Sequence, residues 1–200
     1  MLIFKEIIRN GLATAQIPAK TKFAREWYRN AASQVLSGTR GLSPSAAEKQ
    51  WEPKRKVSQM EPGMMYMFRY DPKHKKTLPY YDTFPLIFPI DIDSDSFLGI
   101  NFHYLPPMGR AKLMNALYTI STDKRFDEKT KVLATYKVLS ASSKFKFFRP
   151  TVKRYLKQHV RSPYLEITSR EWDIAIFLPT ENFKKASAQD VWVDSLLKVK

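Results

Sequence analysis

Two hundred residues, 44% of them apolar, can bury a hydrophobic core, which excludes a chain that is disordered throughout. The absence of cysteine excludes disulfides and thiolate metal sites, and no apolar run approaches the ~20 residues that cross a bilayer as a helix. Thirty-four Lys and Arg against nineteen Asp and Glu leave a formal net charge of +15, which points to a polyanion or an acidic protein face as partner.

The chain opens with MLIFKEIIRNGL, where Lys5, Glu6 and Arg9 interrupt the apolar core that a signal peptide needs. A short amphipathic helix or a docking arm suits it better. Over residues 20–36, Phe23, Trp27, Ala31 and Val35 recur every four positions, a helical stripe. Residues 37–62 carry Gly38, Gly41, Pro44, Pro53 and Pro62, and read as an extended connection that orders on a partner. Residues 1–62 are therefore expected to form a basic N-terminal arm, and 63–200 a single α+β domain.

Residues 63–107 predict three strands among Gly, Pro, Asp and Ser punctuation. Met65 to Tyr70 is the first. Asp71-Pro72 turns it into a polar loop with Lys73, Lys75 and Lys76. Leu86 to Ile92 is the second, Asp93 to Ser96 a hairpin turn, and Phe97 to Tyr104 the third. A long first loop followed by an antiparallel hairpin suggests a small SH3-like β-barrel centre.

Residues 108–200 read as mostly helical. Pro106-Pro107 ends the third strand, and a helix follows from about Arg110 to Ile120. Residues 127–142 form a helix with acidic residues in its first turn, where they complement the dipole. Residues 150–161 start on a favourable first-turn proline, Pro150, with Val152, Tyr155, Leu156 and His159 as the buried stripe. On that reading Lys153, Lys157 and Arg161 repeat on a second face, with Arg154 beside them. Thr168 to Glu171 is a capping box leading into a helix toward Trp172 and Ile176. Ser187 to Asp190 similarly opens a terminal helix carrying Val191, Trp192 and Leu196.

The charge is unevenly placed: net +6 over 1–62, +1 over 63–120, +9 over 121–162 and −1 over 163–200. The third of these segments holds the sharpest motif, SSKFKFFRPTVKRYLKQHVR, where basic residues alternate with aromatics. Cations neutralise phosphates, and exposed aromatic rings stack on unpaired bases. Lys144, Lys146, Arg149, Lys153, Arg154, Lys157 and Arg161 are the candidate nucleic-acid-binding residues. Phe145, Phe147 and Phe148 read first as core and second as stacking rings.

Catalytic patterns are weak. Asp91 to Asp95 resembles the start of a calcium loop, but Ser96 and Phe102 stand where glycine and a bidentate acid are required, so a hairpin is expected. Glu52-Pro53-Lys54 is a lone trace of a nuclease element without its acidic strand partner. His74, His103 and His159 are far apart in sequence and read as structural. No phosphate-cradling or dinucleotide glycine loop is present. Tyr80-Tyr81-Asp82, fixed between Pro79 and Pro85, reads as architecture, with Asp82 accepting hydrogen bonds from nearby backbone donors. No cofactor, metal or enzymatic activity is predicted.

The runs YDPKHKKTLPYYDTFPLIFPI and FLGINFHYLPPMGRAKLMNAL, then SKFKFFRPTVKRYLKQHVRS and the closing QDVWVDS, resemble a family of virion proteins from large contractile-tailed, T-even-like phages. The resemblance covers roughly residues 60–195. Members of that family are described as DNA end protectors or head-completion proteins. The resemblance implies a virion protein, made in the host cytoplasm, that occupies the phage genome end and blocks host exonucleases without catalysis. The alternative is a structural subunit of the neck, tail or baseplate, bridging other virion proteins through its basic arm. The resemblance carries over no site residues; those above rest on charge alone.

Overall fold

The computed structural model describes residues 56–121, 123–169, 172–176 and 180–198. The expected helix at 20–36, residues 37–55 of the connection, and Glu52-Pro53-Lys54 lie outside them, as does half of the Thr168–Glu171 capping box.

Sheet and helices are both present, as an α+β chain requires. Six strands form one sheet: β1 (Lys56–Val57), β2 (Met65–Met67), β4 (Leu86–Ile92), β5 (Ser96–Asn101), β6 (Val152–Leu156) and β7 (Tyr164–Ile167). Their order is β1-β7-β2-β4-β5-β6, and every pairing is antiparallel. A separate pair joins β3 (Tyr81–Asp82) to β8 (Phe183–Lys184). The α-helices among the described residues are α1 (Pro107–Ser121), α2 (Glu128–Ser142), the short α3 (Trp172–Ala175) and α4 (Ala188–Leu197).

Both faces of the central strands are buried, and the sequence alternates between two cores. Met65, Met67, Leu86, Phe88 and Ile100 face a large cluster completed by Leu113, Met114 and Leu117 of α1, Leu139 of α2 and Trp172 of α3. Tyr66, Phe68, Tyr70, Ile87, Phe97 and Tyr155 make a smaller, aromatic cluster on the other side. Successive side chains on a strand point to opposite faces, so a strand covered on both sides reads as an unbroken apolar run. In the aromatic cluster Phe68 meets Tyr70, Phe97, Tyr155 and Tyr164 edge-on, with centroids 5.4–6.3 Å apart.

The second predicted strand is found as predicted, although Pro89 sits inside it. The β2 pairing reaches only Leu86 and Ile87, so Pro89 lies beyond it, and the ladder to β5 shifts register between Pro89 and Asp91. That is where a sheet tolerates a missing N–H donor. The 93–96 turn closes with Asp93 N donating to Ser96 O at 2.9 Å. The third strand ends early, at Asn101: its Oδ1 accepts from His103 N at 2.9 Å and starts a 3-10 turn over Phe102–Tyr104.

Two expectations are corrected. Among the described residues no closed SH3-like barrel forms, because the sheet ends on two separate edges, β1 and β6. The segments after β2 and β6 do approach each other, through a single bridge between Tyr70 and Val160 and bonds from Asp71 N to His159 O and Arg161 N to Arg69 O. They curl the sheet over the aromatic cluster without completing a ladder. Residues 150–161 are not a helix: Arg149–Thr151 is a 3-10 turn, β6 follows, and Lys157–His159 is a second 3-10 turn. The apolar positions of this stretch fit a helical period, but β5 offers a free edge, and five consecutive register pairs from Ser96–Leu156 to Ile100–Val152 settle it as strand. With β7 added, the described residues after 108 are α-helical in α1, α2, α3 and α4 and not in the rest. The terminal helix starts as expected, with Ser187 and Asp190 forming a reciprocal capping box.

Candidate nucleic-acid interface

The basic segment leaves α2, runs through the loop 143–148 and enters β6. Lys144, Lys146 and Arg149 are exposed, and Phe145 between them is 64% exposed. Phe147 and Phe148 meet edge-on at 5.0 Å and pack against the large core cluster. The core reading thus holds for two of the three phenylalanines. The third stands in water between two lysines.

The other four predicted cations do not share a helical face, since the helix is absent. Lys153 and Arg154 are adjacent on a strand and point to opposite sides. Arg154 Nη1 lies 3.0 Å from Ser96 Oγ and 3.8 Å from Asp93 Oδ2. Lys157 Nζ donates to Asp93 O at 2.5 Å, and Arg161 Nη1 to Gln158 O at 3.1 Å. The acidic hairpin is therefore matched by two of these cations. Among the described residues no three His, Asp or Glu side chains converge as a metal site.

Lys153 goes elsewhere. A cavity of about 540 Å³ opens between the loop 71–80, the 102–104 turn, β6 and the end of α4. Tyr80, Tyr81 and Tyr104 line it, together with Lys73, Lys153 and Lys198. Lys153 Nζ sits 3.9 Å from the centroid of the Tyr104 ring. Burial lowers its pKa to about 8, helped by the charge of Lys198 and opposed by that of Asp194. Lys198 Nζ binds Asp194 Oδ2 at 2.6 Å, and the Tyr80 hydroxyl donates to the same carboxylate oxygen. Those two bonds hold the carboxyl of Asp194 below its usual range.

The pocket walls are fixed by ordinary structural devices. Lys185, in the left-handed region at φ 72°, donates from Nζ to the carbonyls of Lys76 and Leu78, 2.9 Å each, and so pins the loop that forms one side. Beneath lies a buried polar network. Asp82 Oδ1 accepts from Phe84 N and Asn182 N, and Asp82 Oδ2 meets His103 Nδ1 at 2.7 Å and Asn101 Nδ2 at 3.1 Å. Asn101 Nδ2 also reaches the Tyr155 hydroxyl. Both His103 and His159 have hydrogen-bond partners within the fold: His103 Nε2 faces Thr180 Oγ1, and His159 Nδ1 faces Asp71 O at 2.8 Å. Asp82 accepts backbone donors on both sides, again as expected. The pocket itself escaped the sequence, since its cations come from the loop, β6 and the end of α4. Only the Tyr80-Tyr81 pair beside a lysine-rich loop gave a local sign.

The family model described as phage T4 terminal DNA protecting protein matches residues 3–195. The chain belongs to that family. The family match includes nearly all of the N-terminal residues that the resemblance over 60–195 left uncovered. No curated protein and no solved structure matches the chain. Membership makes this a phage protein. Among the described residues no helix is long and apolar enough to cross a membrane.

Proposed function

We propose that this protein binds the ends of the phage genome and shields them from exonucleases within the virion, without catalysis of its own. The family match over residues 3–195 carries the reading. End protection asks only for occupancy: a protein seated on a terminus excludes a nuclease by competition. The chemistry on the surface supports it. Lys144, Lys146 and Arg149 present positive charge to solvent, and the exposed ring of Phe145 between them can stack on a base. Lys153 and Lys198 add two cations in the adjoining pocket, Arg154 and Lys157 border the acidic hairpin, and Arg161 bonds the Gln158 carbonyl.

The test is binding of the full chain to blunt linear DNA and to a covalently closed circle of the same sequence, across a salt series, with exonuclease digestion alongside. Tighter binding to the linear form, weakening log-linearly with salt, together with protection of the ends, is the expected result. Equal affinity for both forms, with ends digested at the free rate, would overturn the proposal and favour a role in bridging virion proteins.

A further inference from the structure

We infer that the pocket beside Tyr104 seats the terminal nucleotide of a DNA strand, its phosphate between Lys153 and Lys198 and its base against Tyr80 or Tyr81. The inference rests on the end-protection reading and gives it a site.

Three observations carry it. The first is size: about 540 Å³ falls within the ~300–1,000 Å³ typical of small-molecule sites, enough for one nucleotide. The second is lining chemistry. Tyr80 and Tyr81 are half-buried, so part of each ring faces the cavity, and tyrosine with lysine is the combination that holds an unpaired base and its phosphate. The third is Lys153. A lysine that merely guards the edge strand β6 against aggregation would extend into water. This one is half-buried over a tyrosine face, and among the described residues no carboxylate lies within ion-pair distance of it. The nearby carboxylate, Asp194, is engaged by Lys198 and the Tyr80 hydroxyl, so the sheltered ammonium lacks a direct ion-pair partner, and a phosphate can supply one.

Such a seat distinguishes an end from continuous duplex. Extracting a nucleotide costs a few kcal/mol of unpairing and unstacking. A terminal pair has a neighbour on one side only and opens most readily. A closed circle offers no free terminal nucleotide at all.

The experiment compares the wild-type full chain with Lys153→Met and with the surface pair Lys144→Gln/Lys146→Gln. Each is measured on 5′-phosphorylated linear duplex, on 5′-hydroxyl linear duplex and on the closed circle, with thermal unfolding as a control. Lys153→Met should lower affinity for the phosphorylated linear form about tenfold, the scale of one lost hydrogen bond between charged groups, and so abolish its advantage over the circle. The surface pair should weaken all three DNAs together. An undiminished preference for ends in a folded Lys153→Met protein overturns the pocket and leaves end protection standing. A wild type with no preference for ends overturns both. Should Lys153→Met fail to fold, photocrosslinking of the wild type to a reactive terminal nucleotide decides instead: attachment at Tyr80 or Tyr81 is expected, and attachment only at Phe145 or elsewhere overturns the pocket. An acidic peptide that protects Lys153 from chemical modification while leaving DNA-end affinity unchanged would equally overturn the nucleotide seat and reassign the pocket to a protein partner.

Discussion

The imidazole of His103 meets the carboxylate of Asp82 at 2.7 Å, with both side chains essentially sealed from water. The pair ties the small β3–β8 sheet to the turn that carries Tyr104, and so holds the floor of the pocket to its wall. Burial raises the pKa of Asp82, but the charge and hydrogen bond of His103, with the Phe84 amide and Asn101, outweigh it and leave the carboxyl below its usual range. A carboxyl with a lowered folded pKa stabilises the fold above its unfolded pKa, ~3.9, and that contribution is lost as pH falls through the lower folded value. Asp82→Ala should cost ~1–3 kcal/mol at neutral pH, because it leaves the buried Phe84 amide and Asn101 side chain without their acceptor. It should also reduce the steepness of the acid limb in urea unfolding followed from pH 7 downward. An acid limb parallel to the wild type's would show that the Asp82 carboxylate contributes nothing.

For Lys153 the pH dependence separates binding from folding. Around its ammonium stand Tyr104 from the 102–104 turn, Tyr80 from the loop, and Asp194 and Lys198 from α4 and its end. With a pKa of about 8, it loses its proton well before an ordinary lysine at ~10.4. Affinity for phosphorylated DNA ends should therefore fall as pH rises through about 8. Stability should rise over the interval from 8 to ~10.4, because there the unfolded chain binds the extra proton. Lys153→Arg should hold its affinity through that interval. A wild-type profile as flat as the arginine variant's would remove Lys153 from the site.

Gly63 links the loop after β1 to β2 at φ +91°, and a Cβ added there would sit 2.5 Å from the Val132 carbonyl of α2. Both the backbone region and the space require glycine. Gly63→Ala should destabilise by ~1–3 kcal/mol in chemical denaturation, with the loss exceeding that of a neutral surface change.

Two phenylalanines should behave in opposite ways. Phe68 is fully buried among four edge-on rings, so Phe68→Ala should cost ~3–5 kcal/mol of stability. Phe145 is exposed, so Phe145→Ala should change stability by no more than ~0.5 kcal/mol while weakening DNA binding several-fold. Unchanged DNA affinity in folded Phe145→Ala would assign that ring no part in the interface.

Local chemistry was enough for much of this protein. The alternation through Met65–Met67 and Leu86–Ile92, the Asp93–Ser96 turn, the helix from Asp127 to Ser142 and the Ser187–Asp190 capping box each depend on residues within a few positions of one another. So does the charge excess around Lys144, Lys146 and Arg149. What only the tertiary structure decided depends on distant partners. VKRYL satisfies a helical and an extended period equally; the open edge of β5 makes it a strand and sends Lys153 away from Arg154. Whether the sheet closes depends on how far the segments after β2 and β6 pair, and a single bridge at Tyr70–Val160 leaves it open. The pocket is the extreme case. Tyr80, Tyr104, Lys153 and Lys198 come from four separate elements, and an ammonium is deprived of water there only once all four are packed together.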